Sequence, residues 1–141
     1  MKVLMLAHSF LATHPRSGES TGFKEAYQEG RKIHTIRAND NGYYKDGDTV
    51  SVRQWSGNPR ASKQVEIGVS TIGLERVLLV SRNESDAGCL VVREQVEIAT
   101  VSHNDGLCRG DFFDWFFPRG SGVFEGDILH FTDFRYGKGA A

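Results

Sequence analysis

The chain has 141 residues, of which 39% are hydrophobic and 25% charged, and its net charge at pH 7 is −1. This length suits one domain and is short for two, and the composition excludes a disordered chain. No apolar run approaches the about 18 residues that a membrane span needs. The net charge excludes the strong positive field of proteins that hold long polyanions, so it favours a small ligand or a weak contact.

The distribution of charge and the two cysteines bear on the partners and the cellular location of the protein. Residues 1–70 carry ten Lys and Arg against seven Asp and Glu, which either builds a basic face or is scatter. Cys89 and Cys108 lie in no spacing suited to zinc, so we predict reduced thiols and neither a disulfide framework nor a structural metal. Because the apolar opening is too short for a signal peptide, we expect a cytoplasmic protein with no membrane contact.

The chain begins with a predicted strand and a short helix. Lys2–His8 is expected to be a strand inside a sheet, because its successive apolar residues suit burial on both faces. A loop rich in Pro, Gly and Ser/Thr follows, in which Ser20 or Thr21 is predicted to cap a helix that runs through Glu29. Gly30 is expected to end this helix, because glycine readily adopts the conformation that stops one.

The middle of the chain predicts strands separated by polar loops. Residues 32–37 are β-prone, and Thr49–Trp55 alternates apolar with polar residues as a half-buried strand does. Ser56–Ser62 is predicted to be a loop. Val65–Ser81 holds enough β-branched residues for one long strand, or for two strands interrupted near Gly73.

The last third combines a turn, a strand, a helix and a closing strand. We predict a turn over Asn83–Gly88 and a strand over Cys89–Val101. Apolar spacing predicts a helix over 105–117, which Pro118 ends. Alternation then predicts a closing strand over Ile128–Phe134.

The order of these elements indicates the fold class. Strand, helix, several strands, helix and strand show no regular βαβ alternation, which predicts an α+β fold rather than a parallel sheet. We expect a mixed or antiparallel sheet curled into a barrel, with two flanking helices. Because no repeat or linker divides residues 1–141, they are predicted to form one domain, with a flexible tail at 137–141.

One segment concentrates chemically useful side chains. Between Gly30 and Arg37 lie a helix stop, the amine of Lys32, the hydroxyl of Thr35 and a guanidinium. Such a cluster suits anion binding or acid/base work. In a regular strand Thr35 and Arg37 share a face, and Lys32 reaches that face only from the turn before the strand. His34 points to the opposite face and is interpreted as structural.

This segment resembles the Gly-x-Lys-x-x-Thr-x-Arg signature of the ASCH family in the PUA-like superfamily, with Gly30, Lys32, Thr35 and Arg37 in register. The resemblance continues through the Gly47-Asp48 turn and the helix near 107–117, so it covers most of residues 20–134. Residues 1–19 then form an N-terminal strand and loop extension, and the 55–64 loop is an addition. The resemblance implies a PUA-like β-barrel whose cleft, lined by the signature, is proposed for the family as an RNA-binding site.

The resemblance also implies a reaction. Some small ASCH proteins are amidohydrolases that remove an acyl group from the exocyclic amine of cytidine, using the Lys and Thr of the motif and a later Glu. By position these correspond to Lys32, Thr35 and Asp105, whose side chain is one methylene shorter than the family's Glu.

The chemistry of these groups explains what such a reaction needs. A Thr hydroxyl is a weak nucleophile that needs an adjacent base. A Lys amine serves as that base only if burial or a neighbouring cation, such as Arg37, lowers its pKa. A carboxylate such as Asp105 can then orient water and pass a proton to the leaving amine.

Four residues are predicted to contact the ligand: Gly30, Arg31, Arg37 and Trp55. A planar guanidinium suits phosphate groups or base edges, and an indole can stack on a base. No cofactor is expected, and the sequence does not determine the oligomeric state.

Each candidate also has a structural alternative. Lys32 can be a surface cation over the end of the helix, Thr35 an ordinary strand residue, and Asp105 the N-terminal cap of the following helix. Three functions therefore stay open. They are binding of RNA or a nucleoside, which we prefer, deacylation of acetylated cytidine, and a non-catalytic structural or interaction domain.

Overall fold

The computed structural model describes residues 1–56 and 63–137. Residues 57–62 of the predicted loop and residues 138–141 of the predicted tail lie outside the described part of the chain. The described residues form an α+β fold of eight strands and three helices. In chain order these are β1 Lys2–Met5, α1 Phe23–Gln28, β2 His34–Arg37, β3 Thr49–Trp55, β4 Gln64–Thr71, β5 Gly73–Asn83, β6 Asp86–Val91, β7 Glu94–Val96, α2 Ile98–Asn104, α3 Arg109–Phe116 and β8 Gly122–His130.

The strands form two sheets. The first has the order β1-β3-β4, with β1 parallel and β4 antiparallel to β3. The second has the order β2-β8-β5-β6-β7 and is antiparallel throughout. The two sheets of the described chain are not closed into a barrel by strand pairing.

A single cluster of buried hydrophobic side chains joins the layers. It combines residues of both sheets with residues of all three helices, among them Leu4, Val52, Leu79, Ile128, Phe23, Val101 and Phe112. Burial of each such side chain contributes about 1.5–3 kcal/mol to folding. The helices therefore pack on the same core as the two sheets.

The first strand is an edge strand, not an interior one as expected. Among the described strands it pairs with β3 alone, although Leu4 is fully buried. A run of apolar residues indicates that both faces of a strand are buried, but it does not indicate where the strand lies in its sheet. An edge strand whose faces are covered therefore has the same pattern as an interior strand. The strand also ends earlier than predicted, at Met5.

The first helix confirms the predicted stop and corrects the predicted start. It begins after Gly22, which has a left-handed conformation and offers no side-chain cap. Thr21 still contributes, because its Oγ1 accepts a hydrogen bond from the N–H of Phe23 at 3.2 Å. At the other end Gly30 has a φ of 78°, which confirms its role as the residue that ends the helix.

The predicted strand over Cys89–Val101 is wrong in its second half. The chain turns back at Val92 and Arg93, which both have positive φ, and residues from Ile98 onward form α2. Ile98 and Val101 lie three residues apart and are both buried, so they occupy one face of this helix. Packing of that face outweighs the strand preference of β-branched residues.

The predicted helix over 105–117 is also wrong in its bounds. Asp105 follows the last residue of α2, as its C-terminal cap, and α3 starts only at Arg109. The fold consequently has three helices where two were expected. Pro118 lies just beyond α3, as predicted. α3 is the longest helix of the described residues, with eight residues, and no helix there is long and apolar enough to cross a membrane.

The closing strand begins and ends earlier than predicted. It covers Gly122–His130 rather than Ile128–Phe134, because it pairs with β5 along its whole length, from Ser81 opposite Gly122 to Gly73 opposite His130. The strand predicted within residues 32–37 covers only His34–Arg37, and the turn predicted over Asn83–Gly88 is shorter, because β5 runs to Asn83 and β6 begins at Asp86. β3 has the predicted bounds, and the long β-prone stretch divides into two strands at Ile72, next to Gly73.

Candidate ligand-binding cleft

A cleft of about 390 Å³ lies where the signature segment meets β1, the end of β3 and two helices. Five of the residues singled out from the sequence line it together: Lys32, Thr35, Arg37, Trp55 and Asp105. Apolar side chains form much of the remaining wall, among them Met5, Leu11, Phe23, Trp115 and Phe116. The cleft is therefore an apolar hollow with a small number of polar groups, the usual form of a small-molecule site.

The turn after α1 sets the position of Lys32. The backbone N–H groups of Arg31 and Lys32 both donate to the carbonyl oxygen of Ala26, at 2.8 and 2.9 Å. β2 starts two residues later, so Lys32 lies in the turn before the strand, as predicted. From there its side chain enters the same cleft as Thr35 and Arg37.

Lys32 is a buried lysine and not a surface cation. It is only 2% exposed, and its Nζ donates to the backbone oxygen of Asp105 at 2.7 Å and to the carboxylate Oδ1 at 3.2 Å. The ammonium also lies 4.1 Å from the ring centroid of Phe23, within cation–π distance. Burial lowers the pKa of Lys32 from its usual value; Asp105 opposes this shift and Arg37 adds to it.

Asp105 is held in place at the C-terminal end of α2. Its backbone N–H donates to the oxygen of Val101 at 3.0 Å, so the residue closes one helix and does not cap the start of the next. The Oδ1 atom lies 3.2 Å from the Nζ of Lys32 and 3.1 Å from the Nδ1 of His34. The side chain of an Asp is therefore long enough here to reach the lysine.

Behind Asp105 lies a chain of polar groups that the sequence interpretation missed. His34 is fully buried, and its Nε2 lies 2.7 Å from the hydroxyl of Tyr136. That hydroxyl accepts a hydrogen bond from the Nδ2 of Asn104 at 2.9 Å. These contacts are all hydrogen bonds when Nδ1–H of His34 donates to Asp105 and Tyr136 donates to Nε2. Because His34 and Tyr136 are 102 positions apart, no local sequence pattern identifies these hydrogen-bonded groups.

A second buried pair lies next to this chain of groups. The Nε2 of His130 is 2.8 Å from the Oε1 of Glu75, and the same carboxylate accepts the backbone N–H groups of Tyr136 and Gly137. The ring centroids of His34 and His130 are 5.5 Å apart. The carboxylate of Glu75 therefore fixes the C-terminal segment whose tyrosine supports His34.

Two polar groups of the cleft have little or no protein partner. Thr35 is 6% exposed, and its hydroxyl makes no hydrogen bond to any residue that the structure describes. Arg37 donates from one terminal nitrogen to the backbone oxygen of Met5, and no described carboxylate pairs with it. Burial lowers the pKa of the Arg37 guanidinium, and the nearby Tyr44 and Asp105 oppose the shift. These two groups remain available to a ligand.

Two of the predicted ligand contacts lie outside this cleft. The left-handed turn at Gly30 directs the chain so that Arg31 faces solvent, where its side chain is 56% exposed and pairs with Glu29 at 2.7 Å. Gly30 borders a separate, shallower hollow beside Tyr27 and Phe131. The prediction that Gly30 and Arg31 contact the ligand alongside Arg37 is therefore not supported by their positions.

Trp55, the fourth predicted ligand contact, does line the cleft. It is half-buried at the end of β3, and it separates the cleft from a smaller cavity of about 220 Å³ that Lys24 and Gln54 also line.

Within residues 1–56 and 63–137, no group of three or more His, Cys, Asp and Glu side chains is arranged to hold a metal ion. Comparison of the chain with protein-family models, curated proteins and solved structures gave no match.

Proposed function

We propose that the cleft binds a nucleoside-type ligand, either free or as part of an RNA strand. The observation that supports this proposal is that Lys32, Thr35, Arg37 and Asp105, selected from the sequence by resemblance to the ASCH signature, line one cleft of about 390 Å³. The proposal includes a PUA-like architecture for the two sheets and their helices. It also includes a cytoplasmic location, in keeping with an RNA-derived ligand and with two free cysteines.

The groups of the cleft suit a nucleobase. Trp55 presents an indole on which a base can stack, an interaction that contributes about 1–3 kcal/mol per base. The hydroxyl of Thr35 can both donate and accept a hydrogen bond. The second carboxylate oxygen of Asp105 has no hydrogen-bond partner among the described residues, so it can accept one from an exocyclic amine.

Thermal unfolding in the presence of nucleosides and short RNAs tests the binding proposal. A ligand at a hundred times its dissociation constant should add about 2.7 kcal/mol to the free energy of unfolding. Thr35→Val should reduce this gain, whereas Thr100→Val, on the exposed side of α2, should leave it unchanged. The absence of stabilisation by every compound would contradict the proposal and favour a structural or interaction domain.

A second candidate function is the amidohydrolase reaction implied by the same resemblance. The observation that favours it is the hydroxyl of Thr35, which has no protein partner and lines the same cleft as Lys32 and Asp105. Because burial lowers the pKa of Lys32, a larger fraction of the amine is neutral and able to accept a proton. An activated nucleophile needs such a neighbouring base.

The reaction would proceed in two steps. Lys32 takes the proton of the Thr35 hydroxyl, and Oγ1 attacks the carbonyl carbon of the substrate amide. The bond between this carbon and the exocyclic nitrogen then breaks, the nitrogen takes the proton from Lys32 by way of Asp105, and an acyl ester remains on Thr35. Asp105 then takes a proton from water, whose oxygen attacks the ester carbon. The bond from this carbon to Oγ1 breaks, Oγ1 takes the proton from Asp105 and the carboxylic acid leaves, so that amide and water become amine and acid.

Release of acetate from acetylated cytidine separates the two functions. If the protein is the enzyme, Lys32→Ala and Thr35→Ala should each abolish turnover, because each removes a group that takes part in bond formation or proton transfer. Turnover that survives both substitutions would exclude this mechanism. Binding of cytidine without any release of acetate would leave the cleft as a binding site only.

A further inference from the structure

We infer that the ligand of the cleft carries a phosphate group that Arg37 binds, so that its class is a nucleotide rather than an uncharged nucleoside. The inference rests on the proposed function, because it takes the base of that ligand to lie in the same cleft. The ligand then carries an anionic group, and Arg37 is the side chain that binds this group.

The balance of charge in the cleft leads to this inference. The described lining residues include two cations, Lys32 and Arg37, and one carboxylate, Asp105. The carboxylate lies 3.2 Å from the ammonium of Lys32, so this pair is internally neutralised. Arg37 has only the uncharged backbone oxygen of Met5 as a partner. One positive charge of the cleft therefore has no counter-ion in the described protein.

Such a charge is unusual because Arg37 is partly removed from solvent. Burial of a cation is costly unless an anion pairs with it, and an exposed pair contributes little. In this chain Arg16, at the surface, has a raised pKa through its hydrogen bond to Asp111, whereas burial lowers the pKa of Arg37. An anion supplied by the ligand would oppose the effect of burial on Arg37, as Asp111 stabilises the charge of Arg16.

The shape of the guanidinium favours phosphate. A guanidinium has five N–H donors in one plane, and the bond to Met5 uses a donor of one terminal nitrogen. The second donor of that nitrogen, Nη2, and the donors on Nε and Nη1 have no acceptor among the described residues, so a parallel pair formed by Nη2 with one of its neighbours remains free. Two parallel donors match two oxygens of a phosphate, which is the geometry that makes Arg a frequent phosphate ligand.

The spacing along β2 agrees with one nucleotide. Thr35 and Arg37 are two residues apart on the same strand and line the same cleft, which places their backbones about 7 Å apart. The base and the phosphate of a single nucleotide are separated by a similar distance. A base beside Thr35 and Asp105 can therefore present its own phosphate to Arg37. The phosphate is either the terminal group of a mononucleotide or a linking group within RNA.

Titration calorimetry at one fixed salt concentration tests the inference. The probes are the four nucleosides, their 5′-monophosphates, short oligonucleotides without terminal phosphates, and inorganic phosphate. We expect the phosphate of the monophosphate or of the oligonucleotide to tighten binding at least about tenfold over the matching nucleoside. The two phosphate-bearing probes distinguish a mononucleotide from an RNA strand.

Variants of Arg37 test which side chain is responsible. Arg37→Gln keeps a polar side chain and removes the charge, so it should bind nucleoside and nucleotide equally. Arg37→Lys should retain part of the preference. Arg82→Gln is the matched control, because Arg82 is 87% exposed and its removal should leave the preference unchanged.

The outcomes separate this inference from the proposed function. If the wild-type protein binds a nucleoside as tightly as its nucleotide, the inference is wrong and the proposed function stands. The inference is also wrong if the preference for phosphate survives in Arg37→Gln, or if inorganic phosphate binds as tightly as a nucleotide. If no nucleoside, nucleotide or oligonucleotide binds, both are wrong.

Discussion

Thr35 shows how a single hydroxyl can be separated from the stability of the fold. The residue is buried, but its hydroxyl makes no hydrogen bond to the described residues, so the folded protein gains little from it. A hydroxyl in this position is available for recognition or chemistry. A residue whose polar atom served the fold would show a partner in the folded chain.

We therefore predict that Thr35→Val impairs function and leaves stability almost unchanged. The valine has a similar shape, and the free energy of unfolding in urea should change by less than about 1 kcal/mol. Ligand affinity, or turnover of an acylated substrate, should fall with valine and be largely retained with Thr35→Ser. A large loss of stability with valine would show that the hydroxyl is structural.

The sequence predicts the grouping of the motif residues in the cleft better than it predicts the residues around them. Lys32, Thr35 and Arg37 were predictable because they lie in one short motif, whose turn and strand fix their relative positions. Asp105 was assigned only through the resemblance, and its interpretation as the cap of a following helix is wrong. Strand alternation turns His34 away from Thr35 and so predicts a structural role, and the same alternation hides its contact with Asp105.

At the level of elements, the site depends on the turns that end α1 and α2. Gly30 and Gly106 have φ values of 78° and 83°, which only glycine adopts without strain. A Cβ added at Gly30 would meet nothing within 4 Å, whereas at Gly106 it would lie 3.1 Å from the Cβ of Lys32. The second turn therefore touches the buried lysine directly.

This contrast gives a matched pair of substitutions. Gly30→Ala and Gly106→Ala should each destabilise the protein by about 1 kcal/mol or more, because of the positive φ. Gly106→Ala should in addition displace Lys32 and weaken ligand binding, which Gly30→Ala should leave intact. Urea unfolding and calorimetry measure the two effects. Equal ligand affinities in the two variants would contradict the role of the second turn.

The C-terminal segment is the third element that supports the site. In Tyr136→Phe, the Nε2 of His34 and the Nδ2 of Asn104 lose their shared partner, which should cost about 1–3 kcal/mol in the free energy of unfolding. Tyr43→Phe is the control, because Tyr43 is 50% exposed. Loss of its hydroxyl should change the free energy of unfolding by at most about 0.5 kcal/mol. Similar stabilities of the two variants would show that the hydroxyl of Tyr136 is unimportant.

For the whole molecule, the buried histidine of β8 links stability to pH. Burial lowers the pKa of His130 from 6.5 to about 4; His34 and Arg135 add to this shift, and Glu75 opposes it. The unfolded chain therefore binds the proton more strongly between these two values. The free energy of unfolding should be unaffected by this group above pH 6.5 and should fall as the pH decreases toward 4.

The expected loss is on the order of 3 kcal/mol, since one pKa unit corresponds to about 1.4 kcal/mol. His130→Gln can still donate to Glu75 and should flatten the decrease in stability between pH 6.5 and 4.5. His103→Gln, at an exposed position of α2, should leave the decrease unchanged. Urea unfolding at several pH values measures both variants. An equally steep decrease in His130→Gln would mean that another group causes it.

The sequence by itself determined the class of the fold, the bounds of β3, the residues near Gly73 as the point where the long β-prone stretch can divide and, if Lys32 shares a site with Thr35, the position of Lys32 in a turn. These follow from local properties: alternation of apolar residues, the conformations that glycine allows, and the rise of a strand. Only the tertiary structure decided that β1 is an edge strand, that Ile98–Asn104 is a helix and that His34 and Tyr136 lie behind Asp105. The physical reason is that strand order, packing of a helix face and contacts over 102 positions depend on which segments meet in the folded chain.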